Sequence, residues 1–199
     1  MQKSLTRRHL IAAASAAVVA STGPAWALTE QGARNLVDSV VADIQRVINS
    51  GKSDSAVLRD LERLFVKYAD VNIMALYALG NDGRTASASQ KRAFTKAFQG
   101  YVARKYGKRF KDFIGGRIEV KGVRTIRSGY EVRTTAYLRG QSPFEVNFHV
   151  SDRSGSDKFF NIYIEGVNLL LTERTEIGAM LDRRGGNINA VVADLNALS

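Results

Sequence analysis

A chain of 199 residues sets the scale of one domain, and 45% hydrophobic residues supply enough apolar surface for a sizeable core. With no cysteine and only two histidines, a disulfide framework, a thiol nucleophile and a histidine-built zinc centre are excluded. The formal charge of +10 would suit a nucleic-acid binder, but the N-terminus argues against one.

There, Thr6-Arg7-Arg8-His9-Leu10-Ile11 sets paired arginines ahead of an apolar run over residues 10 to 20, and Ala25-Trp26-Ala27 is an A-x-A cleavage signal. The run is too short to span a bilayer. The pattern predicts a cleaved, twin-arginine-like export signal over residues 1–27, read by a receptor and not serving as an anchor. Residues 28–199 then form a single domain. Losing Lys3, Arg7 and Arg8 leaves 26 bases against 19 acids, about +7. Export turns that charge away from nucleic acid and toward anionic lipid surfaces or acidic partner proteins.

Thr29 is the predicted cap of a first helix whose apolar residues, Leu36, Val37, Val40, Val41, Ile44, Val47 and Ile48, keep helical spacing up to Ser50-Gly51. Ser53 or Asp54 opens a second helix with Val57, Leu58, Leu61, Leu64 and Phe65 inward. A short third helix runs from Val71, between Asp70 as cap and Gly80 as stop, and is apolar on nearly every side, so it is buried or lines an internal surface. Asn81-Asp82-Gly83 reads as a turn. Ser87-x-x-Gln90 is a capping box opening a long helix to about Phe113. Its inner stripe is Phe94, Phe98, Tyr101, Val102, Tyr106, Phe110 and Phe113, and its outer face is basic.

After Gly115-Gly116 the period changes to two. Ile118 and Val120 start one strand; Tyr130, Val132, Thr134, Ala136 and Leu138 share one face of the next; Phe144, Val146, Phe148 and Val150 share a face of the third. Phe160, Ile162 and Ile164 are the expected inward residues of the fourth. Helices over about 173–184 and 187–198 close the chain. The fold class is therefore α+β, with helices packed on one face of a curved antiparallel sheet of about four strands; the resemblance given below adds an apolar pocket between them.

Catalytic motifs are missing: there is no G-x-S-x-G, HExxH, Walker A or GxGxxG. His149 stands on a strand among Glu145 and Asn147 as an exposed or half-buried residue, and Glu173 and Glu176 fall near a predicted helix start, where acids favour the helix dipole. No catalytic, metal-ligating or cofactor-binding set emerges. The stock is aromatic and aliphatic, and tyrosine, with an apolar body and a polar tip, suits a pocket mouth.

Residues 159–171 and the Gly185-Gly186 stop carry a resemblance. The order strand, Glu165-Gly166-Val167 corner, apolar run, Arg174 and glycine-stopped helix resembles the C-terminal signature of the MlaC family, with matches at Phe160, Ile164, Glu165, Gly166, Val167, Leu169 and Arg174. The chain departs from it at Asp157 (tryptophan is usual), Asn161 (aspartate), Asn168 (serine) and Ile177 (phenylalanine). Val66-Lys67-Tyr68-Ala69-Asp70, Ala75-Leu76 and the helix from Ser89-Gln90 to Tyr106 are similar to the family's middle helices. The resemblance implies a periplasmic phospholipid-binding carrier of a Gram-negative bacterium, a monomer and not an enzyme. It implies shuttling between an inner-membrane ABC transporter complex, met through its MCE-domain subunit, and an outer-membrane lipoprotein–porin complex. By that analogy Val71, Met74, Leu76, Tyr77, Phe98, Tyr101, Tyr106, Phe148, Tyr163, Val167, Leu169 and Leu171 line the lipid pocket, and Lys105, Arg133 and Arg174 meet a head group or a docking partner. The alternatives are a carrier of another apolar ligand such as a hopanoid, an exported enzyme on a cone-like α+β scaffold, and a solid-cored adaptor.

Overall fold

The computed structural model describes residues 27–198; the expected export signal, except for Ala27, lies outside them, as do the side chains of Phe110 and Lys111. Among the described residues the order is α1 (Glu30–Ile48), α2 (Asp54–Tyr68), α3 (Val71–Leu79), α4 (Asp82–Thr85), α5 (Ala88–Gly107), a 3-10 turn (Phe110–Phe113), β1 (Arg117–Ile126), β2 (Gly129–Tyr137), β3 (Phe144–Ser151), β4 (Lys158–Ile164), β5 (Val167–Asn168), α6 (Leu169–Arg183) and α7 (Ile188–Ala197). The five strands form one antiparallel meander in chain order. The sheet is thus one strand larger than expected. Glu165 (φ 49°) and Gly166 (φ 79°) are both left-handed, as a two-residue hairpin turn requires, and fold Val167 back onto Ile164. No helix among the described residues is long and apolar enough to cross a membrane.

Three of the predicted caps hold, while Ser53 stands at the N-cap of α2 without a side-chain capping bond. The Thr29 side chain accepts from Gly32 N–H, Asp70 accepts from Ile73 N–H, and Ser87 with Gln90 forms the reciprocal capping box. Each satisfies a donor that the first helical turn cannot use. Asn81-Asp82-Gly83 leads into the four-residue α4 instead of a bare turn. The long helix stops at Gly107, earlier than expected, and the chain reaches Phe113 through the 3-10 turn.

Helix α1 lies across β1, β2 and β3, burying Ala33, Val37, Val40 and Val41 against the inner sheet face. Val132, Phe148, Val150 and Phe159 of the sheet share one core cluster with Phe94 and Phe98 of α5, which stack 5.8 Å apart and are fully buried. Burying such a ring is worth about 1.5–3 kcal/mol. Helix α3 packs on α5, α6 and β4, so it needs an apolar residue in nearly every direction; only Asn72 and Tyr77 of its nine residues are exposed.

One strand departs from simple alternation. A bulge opposite His149/Val150 pairs His149 with Asn161 but Val150 with Phe159. The extra residue in β4 is Phe160, so Phe159, not Phe160, enters the core, where it meets Phe148 edge-on at 5.8 Å. The same register puts Asn161 and Tyr163 on the outer sheet face with His149. The following helix begins at Leu169, four residues earlier than expected, because Asn168 accepts from Leu171 N–H as its cap.

Candidate ligand-binding site

A cleft of about 370 Å³ opens where α3, the outer face of β3–β4 and the start of α6 meet. Ile73 and Tyr77 come from α3, Ser128 from the β1–β2 turn, His149, Ser151 and Arg153 from β3 and the loop after it, and Phe160, Asn161, Tyr163, Asn168 and Leu170 from the β4–α6 segment. Leu170 is 5% exposed and also belongs to the core cluster, so one side chain of the cleft wall is part of the apolar interior.

The α6 side of the cleft is locked by its own hydrogen bonds. Asn161 Oδ1 accepts from Ile162 and Leu170 N–H at 2.9 and 3.1 Å, Asn161 Nδ2 donates to Asn168 Oδ1 at 2.9 Å, and Asn168 Nδ2 donates to the Tyr163 hydroxyl at 3.0 Å. His149 rests against the rings of Tyr163 and Phe160, at 4.7 and 5.8 Å. Burial holds its imidazole below the usual range, against the pull of Glu131, so at neutral pH it is a neutral ring with one N–H donor and one acceptor.

A second polar constellation ties α5 to α6. Glu173, only 2% exposed, accepts from Lys105 Nζ at 2.7 Å and from the Tyr106 hydroxyl at 2.5 Å, while its Oε2 has no partner. Glu176 accepts from Lys105 at 2.6 Å and from Tyr101 at 2.8 Å. Burial, reinforced by the bond to Glu176, pushes the Tyr101 hydroxyl up to about 12. Burial pulls the Lys105 ammonium down, but its bonds to Glu173 and Glu176 outweigh that and raise it. Glu173 and Glu176 are therefore not dipole-stabilising acids of a first turn: α6 starts four residues before Glu173, and both carboxylates serve as anchors for α5.

The expected lining residues divide into three sets. Val71, Met74, Phe98, Tyr101 and Phe148 join one core cluster, with Leu76 and Tyr106 packed against it. Tyr77 and Tyr163 line the cleft. Leu169 is half-buried in the first turn of α6, whereas Val167 and Leu171 are 55% and 50% exposed. Of the expected cations, Lys105 is held by its two carboxylates, Arg133 is exposed on β2, and Arg174 lies 5.0 Å over the Tyr77 ring and donates to the Tyr77 carbonyl at the end of α3. The β-period pattern missed Ser128, Ser151, Arg153, Asn161 and Leu170. The Asn161 and Asn168 departures from the family pattern were the signal available for that region.

A further groove of about 370 Å³ lies between α2 and α5, lined by Arg59, Glu62, Arg63, Val66 and Gln99. Arg63 is paired with Asp60, and Glu62 accepts from Gln99. The groove does not lead to the core cluster, because none of its lining residues belongs to it.

The architecture has a solved counterpart in a phospholipid-binding protein from Ralstonia solanacearum in complex with a phospholipid. That protein is 21% identical to this chain, with a TM-score of 0.73 over 83% of this chain and 96% of that one; at this identity the likeness is one of fold. The family model described as MlaC protein matches residues 34–197, from the first turns of α1 to the end of α7. With that match running through every described helix and strand, the chain belongs to the MlaC family.

Proposed function

We propose that this protein binds a phospholipid and carries it across an aqueous compartment, the periplasm, as the soluble component of an ABC transport system. In this reading it takes lipid from or gives it to an inner-membrane transporter through an MCE-domain subunit, and does the converse at an outer-membrane lipoprotein–porin complex. The observation that carries the proposal is the cleft whose polar rim leads to Leu170 and the core cluster, in a chain of this family. A binding protein, not an enzyme, is what such an arrangement supports.

The energetics fit a carrier. Burying an acyl chain is worth about 0.8 kcal/mol per methylene, so two chains of roughly fifteen methylenes are held out of water by about 24 kcal/mol. A cleft of about 370 Å³ sits at the low end of the roughly 300–1,000 Å³ typical of drug-sized ligands. Two acyl chains need more room, so α3 and α6 move away from the sheet when lipid enters, and the expected lining residues of the core cluster, Met74, Phe98 and Phe148 among them, become pocket wall. Release is then a shift between closed and open forms biased by the partner, with no bond broken in the lipid.

Gentle purification, organic extraction and mass spectrometry test this: the expected result is phospholipid at about one molecule per chain. A protein that comes out empty and takes up no lipid from vesicles overturns it. Recovery of a hopanoid in place of phospholipid would keep the carrier and change its cargo.

A further inference from the structure

The cleft has two unlike sides. Asn161, Tyr163 and Asn168 spend their hydrogen-bonding groups on one another and on the α6 backbone. Across from them, Ser128, His149, Ser151 and Arg153 hydrogen-bond to none of the described residues with their side chains, and Arg153 forms no ion pair with them. Ser151 is the most enclosed of the four: the residue is 3% exposed and lines the cleft, and its hydroxyl bonds to none of the described residues. A hydroxyl that opens on the cleft and bonds to no described residue is free to donate to a ligand there.

The backbone is shaped to bring these donors together. Gly129 sits at φ 137°, and a Cβ there would lie 2.1 Å from the Val150 carbonyl oxygen and 3.2 Å from Ser151 Cα. Only glycine lets the β1–β2 turn settle onto the end of β3, and that contact places Ser128 beside Ser151. None of the residues lining the cleft is a carboxylate. The nearby acids are engaged elsewhere: Glu131, cross-strand from His149, is bonded to Arg124, and Asp152 accepts from Leu28 N–H at 2.9 Å.

The geometry points to a phosphate-ester site formed by Ser128, His149, Ser151 and Arg153. Two hydroxyls, an imidazole N–H and a guanidinium fork offer more donors than a carboxylate has oxygens, and the fork matches phosphate in a bidentate way. Ile73, Tyr77, Phe160 and Leu170 supply the apolar wall that an attached glycerol and its chains require. This assignment rests on the phospholipid-carrier reading for its ligand's source, the head group of a bound lipid. A free phosphomonoester shares the chemistry.

The test is calorimetric titration of the full chain with three probes: dioctanoyl phosphatidic acid, dioctanoylglycerol (the same chains without phosphate) and sn-glycerol 3-phosphate. The Ser151→Ala/Arg153→Gln variant is expected to bind phosphatidic acid at least about tenfold more weakly, the size of one lost charge-assisted hydrogen bond, and dioctanoylglycerol as the parent does. Equal losses for both lipids, or no loss for either, overturn the site. Parent protein that binds dioctanoylglycerol with no preference for phosphatidic acid also overturns it, and leaves the carrier reading standing. Glycerol 3-phosphate that binds and shifts the His149 imidazole resonances, in protein that binds neither lipid, keeps the phosphate site and removes the carrier reading. Binding of none of the three removes both.

Discussion

Lys105→Met tests how α5 is fastened to α6. The substitution keeps most of the stem and removes the ammonium, leaving Glu173, 2% exposed, with the Tyr106 hydroxyl as its one hydrogen-bond donor. Breaking a buried ion pair from one side costs about 3–5 kcal/mol. The Lys105 side chain is 28% exposed and its other partner, Glu176, 44%, so water recovers part of that cost. The expected loss is about 2–3 kcal/mol, a fall in Tm of roughly 5–10 °C for a domain of this size. Glu173→Gln in the same background replaces the stranded charge with an amide that needs no counter-ion, so the double variant should regain at least ~1.5 kcal/mol relative to the sum of the single changes. Thermal and urea unfolding of the four proteins would measure this. A Lys105→Met loss below ~0.5 kcal/mol, or strict additivity in the cycle, would refute the reasoning. A measurable coupling would show that this pair fastens α5 to α6.

Two other outcomes are specific. Gly129→Ala forces a Cβ into the Val150 carbonyl at a backbone conformation that L-residues rarely adopt, and should destabilise the fold by about 2–4 kcal/mol, read as a lowered urea midpoint; an unchanged midpoint would mean that the turn does not rest on β3. The Tyr68 hydroxyl at 2.6 Å, then Lys67 at 2.9 Å, hold Asp43 at about 2, below its ordinary 3.8. A depressed carboxylate stabilises the fold above its unfolded value and loses that contribution as the pH drops from about 4 toward 2. Asp43→Asn should therefore flatten the acid limb of the stability profile over that window, and a limb of unchanged steepness would show that Asp43 does not contribute to it.

Local signals in the sequence were readable where one short segment determines the outcome. Thr29, Asp70 and the Ser87–Gln90 box mark helix starts because the capping oxygen and the amide it serves lie within three residues. Alternation in β2 and β3 was readable because each faces a core on one side. The same rule failed in β4, where a single extra residue at Phe160 reverses the faces of what precedes it, and no local feature announces a bulge. Leu169-Leu170-Leu171 gives no period from which to separate a strand from a helix, and the deciding feature was the cap at Asn168. The role of Glu173 was beyond reach for a different reason: its partners, Lys105 and Tyr106, lie 68 and 67 residues away, and only the packing of α6 on the rest of the chain buries its carboxylate. The cleft likewise draws on four separate segments, so its free donors become visible only once they are brought together.

The two ends of β4 bear on whether a second chain can add a strand to this sheet. At one end Asp70 N–H bonds to the Phe159 carbonyl, through the segment joining α2 and α3; at the other, the two residues of β5 pair with Tyr163 and Ile164. The sheet's opposite border, β1, is interrupted by a bulge between Val120 and Gly122 and carries Arg117, Glu119, Lys121 and Arg124. Short stubs, bulges and charges along a border discourage a neighbouring chain from adding its own strand. Under the proposed carrier function, the chain is most prone to aggregation at the moment its interior loosens to admit lipid. The β1 border is blunted by its own bulge and charges, whereas the β4 border is tied to Asp70 and Asn168, the caps of α3 and α6, so an opening that keeps those two caps in place offers no template for sheet-to-sheet growth.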